Sequence, residues 1–260
     1  MHPILIDLGF FQLPTYGVIL LTGVALALWT AHRRARAAGM DADRIVDLAL
    51  WIVIWALLGA KALLVLVELP RYLSNPAELL GVVRAGGVFL GGLLAGLLAG
   101  WVLLRRYGLR FLPTADALIP SVSLGQAIGR IGCLMAGCCW GAHCDLPWAV
   151  TYTDPRAAHN VGTPLGVPLH PFPAYAFLFN ITLYGILAWL FRRSGGTGRV
   201  LATYLVLYGT GRFLLEFTRG DAARGFVLGG LLSTSQFIAL ILVAAGTGLH
   251  LWLGRRPRES

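Results

Sequence analysis

The sequence has few charged residues. Only 13% of its 260 residues are Asp, Glu, Lys or Arg, whereas 57% are hydrophobic. Ordinary soluble domains carry about 25% charged residues, so this composition excludes a soluble globular domain and indicates a protein whose solvent is the lipid bilayer. Acidic residues are fewer than basic residues. The 12 Asp and Glu against 21 Lys and Arg give a formal net charge of +9. In a membrane protein such an excess is typical of cytoplasmic loops, and it does not require a nucleic-acid partner.

Seven apolar stretches follow one another along the chain, and each has the length of a helix rather than of a strand. They cover residues 15–31, 45–69, 86–104, 112–135, 172–191, 200–217 and 226–253. A hydrocarbon core of about 30 Å is crossed by about 20 helical residues, whereas a β-barrel shows shorter segments of alternating hydrophobicity. The sequence therefore predicts an all-α, polytopic membrane protein with seven transmembrane helices, which form a single integral membrane domain over residues 1–260.

Basic residues are concentrated in alternate loops. Thirteen follow the first, third, fifth and seventh stretches: Arg33, Arg34, Arg36, Arg44, Arg105, Arg106, Arg110, Arg192, Arg193, Arg199, Arg255, Arg256 and Arg258. Five lie on the opposite side: Arg71, Arg84, Arg156, Arg219 and Arg224. The positive-inside rule then predicts an outer N-terminus and a cytoplasmic C-terminus. No basic segment precedes the first stretch, so we expect its helix to be retained rather than cleaved as a signal peptide.

A sizeable polar segment rich in Pro, Gly and Asp lies between the fourth and fifth stretches. It runs from Trp140 to Pro171, and the predicted orientation places it outside the cell. We expect residues 140–171 to form a small extracytoplasmic cap within the membrane domain.

Charges inside apolar stretches are costly, so each is a candidate functional residue. The four are Lys61, Arg130, Arg212 and Glu216. Arg212 and Glu216 are four residues apart and share a helix face. Tyr208 and Arg219 continue the spacing, which predicts an inward polar stripe on the sixth helix. The alternative is that Arg212 and Glu216 only neutralise each other as a buried structural pair.

A second group of candidates lies in the segment GRIGCLMAGCCWG, residues 129–141. Its four glycines allow close backbone approach and non-helical geometry, and the guanidinium fork of Arg130 suits a phosphate. The alternative is packing of small residues between helices, with Arg130 reaching the membrane interface. Arg130, Arg212 and Arg219 could surround one anion in the outer half of the membrane, where a lipid phosphodiester is available.

The segment GRIGCLMAGCCWG and the segment YGTGRFLLEFTRGD, residues 208–221, resemble two signatures of the prolipoprotein diacylglyceryl transferase family. Shorter similarities occur in the family's order: YG at 16–17, GAK at 59–61, GGVFLGG at 86–92 and LHPFPAY at 169–175. The resemblance implies a seven-helix enzyme of the bacterial inner membrane. Such enzymes transfer the diacylglyceryl group of phosphatidylglycerol to the lipobox cysteine of a preprolipoprotein, form a thioether and release glycerol phosphate. It implies membrane lipids as surroundings, and no metal or cofactor.

The resemblance also implies roles for single residues. Arg130 and Arg212 would hold the phosphate, and Gly141 would shape the headgroup site. Tyr16 and Tyr208 would line the lipid cavity, while pairing of Glu216 with Arg219 would order the site. The catalytic candidates are Arg130, Arg212, Tyr16, Tyr208, Glu216 and His170. The substrate-binding candidates are Arg130, Gly141, Arg212, Arg219, Lys61, Cys133 and Cys138.

The first signature departs from the family pattern. Cys133 and Ala136 stand where the family has Asn, Cys138 stands where it has Glu, and Leu90 replaces the histidine proposed there as a base. A divergent paralogue that binds lipid, or that acts on another lipid or acceptor, is therefore an alternative function.

Deprotonation of the acceptor thiol has four candidate routes without that histidine. A tyrosine, His170 or Glu216 could take the proton. The fourth route is ionisation of the thiol itself, whose ordinary pKa of about 8.5 would be lowered beside two arginines.

All four cysteines lie within twelve residues: Cys133, Cys138, Cys139 and Cys144. We expect buried structural thiols first, a disulfide between Cys138 and Cys144 second and a redox pair third. A zinc site with His143 ranks last, because the spacing matches no standard ligand template. The cluster leaves a membrane thiol oxidoreductase as a further alternative function.

Overall fold

The structure, a computed structural model, describes residues 4–8, 12–83, 86–221 and 225–255. Four of the basic residues on which the orientation prediction rests lie outside the described residues: Arg84, Arg224, Arg256 and Arg258. Within the described residues, seven helices are long and apolar enough to cross a membrane. They are α1 (Thr15–Ala37), α2 (Ala42–Val67), α4 (Phe89–Tyr107), α5 (Phe111–Ala136), α7 (Phe172–Ser194), α8 (Arg199–Leu215) and α9 (Thr234–Gly254). The predicted all-α polytopic membrane fold is confirmed.

The remaining elements are short. Two are helices, α3 (Leu69–Ser74) and α6 (Pro155–Val161), and 3-10 turns occupy Pro76–Val83, Glu216–Thr218 and Leu228–Gly230. Within the described residues, six short strands form three antiparallel pairs: β1 (Ile4–Asp7) with β2 (Gln12–Pro14), β3 (Val150–Thr151) with β4 (Pro168–Leu169), and β5 (Phe226–Val227) with β6 (Leu232–Ser233).

The chain divides into two compact units, one formed by Met1–Thr30 with Ala115–Ser260 and the other by Ala31–Thr114. In the second unit, α2 and α4 approach closely through small residues. An ideal Cβ added to Gly59 would lie 2.3 Å from the Cβ of Ala95. Such small-residue contacts bring membrane helices together where apolar burial provides no driving force.

In the first unit, α8 and α9 also approach closely through small residues. A Cβ added to Gly209 would lie 2.8 Å from the carbonyl oxygen of Ala239, and one added to Gly246 would lie 2.9 Å from that of Ala202. This packing fixes the helix that carries Arg212.

A buried carboxylate joins α5 to the start of α8. Asp116 is fully buried and accepts hydrogen bonds from the backbone N–H groups of Gly198 (2.7 Å) and Leu201 (2.8 Å). These donors have no partner inside the helix, and a negative charge is favourable at a helix N-terminus. Asp116 therefore caps a helix other than its own.

The prediction that the seventh apolar stretch is helical from residue 226 is wrong. Residues 226–233 form the β5–β6 hairpin, and α9 begins only at Thr234. The Ser233 side chain accepts from the N–H of Gln236, whose side chain accepts from the N–H of Ser233, which is a complete capping box. Hydropathy does not register this helix-start signal, because the hairpin is itself apolar.

The polar segment between α5 and α7 contains β3, α6 and β4, with Val150 opposite Leu169. A hydrogen bond of 2.6 Å from the buried Thr163 hydroxyl to the carbonyl oxygen of Gly137 ties this segment to the loop after α5. The segment therefore holds the cysteine-rich loop in a fixed position.

Candidate active site

Three arginine side chains surround the ring of Phe172, the first residue of α7. The guanidinium carbons of Arg130, Arg212 and Arg219 lie 5.7, 5.7 and 5.5 Å from the ring centroid. Each distance falls within the range of a cation–π contact, about 6 Å, and Phe172 is buried. The structure thus brings together the three arginines that the sequence analysis assigned to one anion. We call these three residues the arginine cluster.

The three arginines lie in different types of backbone structure. Arg130 lies in the last two turns of α5, and Arg212 lies in the last turn of α8. The prediction that Arg219 continues the helical stripe is wrong, because α8 ends at Leu215 and a 3-10 turn follows. Arg219 itself has extended backbone angles, φ −88° and ψ 136°.

Two carboxylates hold two of the arginines. Nη1 of Arg212 lies 2.8 Å from Oε2 of Glu216, and its Nη2 donates to the hydroxyl of Ser235 at 2.9 Å. Arg219 forms a fork with Asp221, with distances of 2.5 Å from Nε and 2.7 Å from Nη2. Glu216 also acts electrostatically on Arg219, and their pairing, which the resemblance implies, stays a prediction. Asp221 was not among the sequence candidates, although it stands two residues after Arg219 in the second signature.

The arginine cluster has more positive than negative charge. Glu216 and Asp221 offset two guanidiniums, whereas no carboxylate of the described residues lies within 4.0 Å of Arg130. Burial lowers the pKa of Arg219, but hydrogen bonding and charge pairing with Asp221 outweigh it and raise this pKa above its ordinary value. Arg219 therefore keeps its charge, and the chemical complement of the arginine cluster is an anion.

Gly141 fits between two backbone segments that leave no room for a side chain. A Cβ at this position would lie 2.3 Å from the carbonyl oxygen of His170 and 2.8 Å from that of Thr218. Gly141 pairs with Arg219 in an antiparallel bridge, while Ala142 donates to Thr218 at 2.9 Å and accepts from His170 at 2.8 Å. This close approach places the backbone of Arg219 beside the first signature.

The two predicted tyrosines interact electrostatically with the arginine cluster, Tyr16 with Arg130 and Tyr208 with Arg212. Tyr16 lies against α5, because a Cβ on Gly132 would be 3.0 Å from its Cδ2. Tyr208 stacks on Tyr204 with a centroid separation of 5.1 Å. Lys61 belongs to the second compact unit, where its Nζ donates to the carbonyl oxygen of Val82 at 2.8 Å.

His170 lies in the short segment between β4 and α7. Its Nδ1 is 3.3 Å from the hydroxyl of Tyr175, which also accepts a hydrogen bond of 2.7 Å from Nε1 of Trp148. His170 is thus held by an aromatic network on the same segment that carries Phe172.

Three of the four cysteines converge at the end of α5. The Sγ atoms of Cys133, Cys138 and Cys139 all lie within 4.8 Å of one another. We call this group the thiol cluster. All four thiols are free, and Cys144 lies outside the cluster, so the expected Cys138–Cys144 disulfide is not formed. The cluster contains no histidine, which removes the zinc site expected with His143.

Local backbone geometry explains this convergence. Gly137 adopts a left-handed φ of 74°, its N–H donates to the carbonyl oxygen of Leu134, and the next N–H, of Cys138, donates to that of Cys133. This is a Schellman motif, which brings the side chains five residues apart into contact. Cys139 is the one non-glycine residue with positive φ (58°) in the described part of the chain, and its turn adds the third thiol.

The thiols and the neighbouring arginines influence each other. Hydrogen bonds with Cys133 and Cys138, and then the guanidiniums of Arg130 and Arg219, lower the pKa of Cys139. Hydrogen bonds with Cys133 and Cys139 raise the pKa of Cys138 in turn. The thiolate form of Cys139 is therefore favoured beside the arginine cluster.

The seven apolar helices define a multi-pass membrane protein, in which the arginine cluster forms a part-buried group of positive charges. A family model described as prolipoprotein diacylglyceryl transferase matches residues 3–252. The chain belongs to the prolipoprotein diacylglyceryl transferase family.

Several relatives are named phosphatidylglycerol–prolipoprotein diacylglyceryl transferase. The one from Clostridium tetani is 34% identical over 246 residues, which cover 95% of each chain. The one from Azotobacter vinelandii is 35% identical over 262 residues, 98% of this chain and 96% of the relative. The one from Nitratidesulfovibrio vulgaris strain DP4 is 33% identical over 260 residues, 98% of this chain and 94% of the relative.

Proposed function

We propose that this protein is an enzyme that transfers the diacylglyceryl group of phosphatidylglycerol to the lipobox cysteine of preprolipoproteins. The products are a thioether and glycerol phosphate. The relatives' names support both substrates. The observation in this chain that carries the proposal is the arginine cluster around Phe172, because a lipid phosphate is the anion that such a buried site meets in a bilayer.

The reaction needs stabilisation of a leaving phosphate. The acceptor sulfur attacks the glyceryl carbon that carries the phosphate oxygen, a C–S bond forms, and the C–O bond breaks with its electron pair on the phosphate. Guanidinium groups fixed before the reaction stabilise this developing charge without having to reorganise. Arg130 and Arg212 hold the phosphate in this proposal, and Arg219 adds positive charge beside them.

Fixed geometry is provided by the neighbours of the arginines. Glu216 and Ser235 orient the guanidinium of Arg212, and Asp221 orients that of Arg219. Gly141 permits the backbone approach on which the position of Arg219 depends.

The remaining roles follow the resemblance. Tyr16 and Tyr208 line the space for the lipid chains, and Lys61 is a substrate-binding candidate. His170 is a candidate for proton transfer. Among the candidate bases, Glu216 is engaged with Arg212, which disfavours it as the group that accepts the thiol proton.

We further propose a location in the bacterial inner membrane, with the N-terminus outside and the C-terminus in the cytoplasm. The distribution of basic residues over alternate loops supports this orientation. Residues 1–260 then form one integral membrane domain, with residues 140–171 as its extracytoplasmic cap, on the side where phosphatidylglycerol and the lipobox segment meet.

Complementation tests this function in the cell. A bacterium depleted of its own transferase should grow when it expresses this chain or the Arg156→Ala variant, whose substituted side chain is exposed. It should not grow with Arg130→Ala at equal membrane abundance. Equal growth with Arg130→Ala, or failure of the unaltered chain to accumulate lipidated lipoprotein, would contradict the proposal.

A further inference from the structure

The thiol cluster lies in the same segment as Arg130, yet the proposed chemistry gives it no role. Its three sulfurs come from a Schellman turn and from one strained residue, Cys139, in the left-handed region. A positive φ at a non-glycine residue costs free energy and is found preferentially at functional sites. Simple filling of apolar space would not require this conformation.

The geometry of the cluster matches the needs of a thiophilic ion. Zinc binds thiolate sulfur at about 2.3 Å in a tetrahedral arrangement, so two sulfurs of one zinc site lie about 3.8 Å apart. The three Sγ atoms all lie within 4.8 Å of one another, which exceeds that spacing by at most about 1 Å. Soft thiolate ligands select zinc and similar ions over magnesium or calcium.

The surrounding charges also favour a bound cation with thiolate ligands. Three thiolates around one divalent ion carry a net charge of −1, and Arg130 and Arg219 both act electrostatically on Cys139. Tyr152 is fully buried, and its hydroxyl has no hydrogen-bond partner among the described residues. This hydroxyl is within electrostatic range of the three thiols.

Only three ligands come from the cluster. Cys144 does not belong to it, and no histidine or carboxylate of the described residues joins it. A zinc site with three protein ligands keeps its fourth position for water or substrate, which is typical of catalytic rather than structural zinc.

We infer that Cys133, Cys138 and Cys139 bind one zinc ion and that the fourth position of this ion takes the acceptor thiol. The second half of this inference rests on the proposed transferase function. The acceptor thiol loses its proton to water when its sulfur binds zinc. The same sulfur then forms the C–S bond, and the phosphate leaves with the electron pair of the broken C–O bond. Zinc does not change oxidation state, so the step needs no oxidant or reductant.

Binding of the acceptor sulfur to zinc accounts for the proton removal that the transfer reaction requires. Glu216 is paired with Arg212, and Nδ1 of His170 faces the hydroxyl of Tyr175. A metal-bound thiol is deprotonated without a protein base. The two cysteines at family Asn and Glu positions, Cys133 and Cys138, thereby gain a function.

Metal binding is tested first, with Zn²⁺ as the probe and without turnover. The purified full-length protein, stripped by a chelator and dialysed against Zn²⁺, should retain one ion per chain. Single Cys→Ala variants at 133, 138 and 139 should each weaken retention by at least tenfold, whereas Cys144→Ala should retain zinc. Retention of zinc by the triple variant at the level of the unaltered chain would overturn the inference.

A second measurement avoids dependence on variants that fail to fold. In the unaltered chain, Zn²⁺ should protect three thiols from a maleimide reagent, identified by peptide mass as Cys133, Cys138 and Cys139. Equal labelling of these thiols with and without zinc would also overturn the inference.

The fourth position is tested with Co²⁺ in place of zinc, since sulfur-to-cobalt charge transfer reports each thiolate ligand. A lipobox peptide should intensify this absorption, and the same peptide with Ser for Cys should not. An unchanged spectrum refutes the acceptor-binding half.

Thioether formation separates the two proposals. Full activity in zinc-free protein leaves the transferase function standing and overturns the role of zinc. Binding of zinc and of peptide sulfur without any product from phosphatidylglycerol contradicts the transferase function instead.

Discussion

Arg212 and Glu216 form a buried ion pair, with Nη1 of the arginine 2.8 Å from Oε2 of the glutamate. The side chains are 14% and 2% exposed. The two residues are four positions apart in the sequence, but Glu216 lies in the 3-10 turn that follows α8. The pair is structural in the sense that each partner compensates the burial of the other. Nη2 of Arg212 also donates a hydrogen bond to the hydroxyl of Ser235, so the guanidinium group is held in one orientation.

We predict that Glu216→Gln destabilises the protein and reduces phosphate binding. Breaking a buried pair by removing one charge costs about 3–5 kcal/mol, and a freed Arg212 loses its fixed orientation. Thermal unfolding in detergent should show the lower stability, and binding of phosphatidylglycerol should weaken. Glu78→Gln removes a partner of Arg71 at an exposed pair and should cost less than about 1 kcal/mol. Equal effects of the two substitutions would contradict this account of the pair.

Gly141→Ala should abolish transfer, because its Cβ would meet the carbonyl oxygens of His170 and Thr218. The two backbone segments would have to separate, and Arg219 would leave the arginine cluster. Gly185→Ala is the matched control, since nothing lies within 4 Å of its Cβ position. Turnover and lipid binding should be measured on both variants. Activity in Gly141→Ala close to that of Gly185→Ala would show that the close approach is dispensable.

Asp116→Ala should destabilise the start of α8. The substitution removes the acceptor for two backbone N–H groups, one buried and one part-buried, and an unsatisfied buried group costs about 1–3 kcal/mol. The loss should appear as a lower unfolding temperature and as faster hydrogen exchange at Gly198 and Leu201. Asp145→Ala, in an exposed loop position, serves as the control. Unchanged exchange at these two amides would refute the capping role.

Cys139 should react with alkylating reagents at a pH where ordinary thiols are protonated. Its pKa is lowered by hydrogen bonds with Cys133 and Cys138 and by the arginines, so the thiolate is populated below the ordinary value of about 8.5. As the pH is lowered, the labelling rate of Cys139 in metal-free protein should fall only below the ordinary thiol pKa. In Arg130→Ala the whole rate profile should shift to higher pH. A profile for Cys139 centred at the ordinary thiol pKa in both proteins is the contradicting outcome.

The sequence predicts the membrane helices well, because their apolar stretches are each at least 17 residues long and differ sharply from the arginine-rich loops. It fails at residues 226–233, where an apolar hairpin has the same hydropathy as a helix. It also fails at Arg219, because spacing along an ideal helix does not register where α8 ends. Costly charges inside apolar stretches identify Arg130 and Arg212 but not Arg219, which follows the sixth stretch. Phe172 has no signal in the sequence, since an aromatic residue in an apolar stretch resembles any lipid-facing residue.

The thiol cluster marks a different limit. Spacing alone fits no metal template, because the convergence of three sulfurs depends on left-handed backbone at Gly137 and Cys139. The signal present in the sequence is the glycine after α5, which favours a Schellman motif and thereby the contact between Cys133 and Cys138. The turn at Cys139 has no equivalent signal, because only tertiary contacts stabilise a strained residue.

The most direct test of the central claim is product formation by the purified protein. The chain is incubated with phosphatidylglycerol and a lipobox peptide, and the peptide is analysed by mass spectrometry for a diacylglyceryl thioether. The account predicts this product with the unaltered chain and with Arg156→Ala, and at least a hundredfold less with Arg130→Ala, in line with the loss of one positioned donor. Absence of the thioether from a preparation that binds phosphatidylglycerol, or undiminished product from Arg130→Ala, would contradict it.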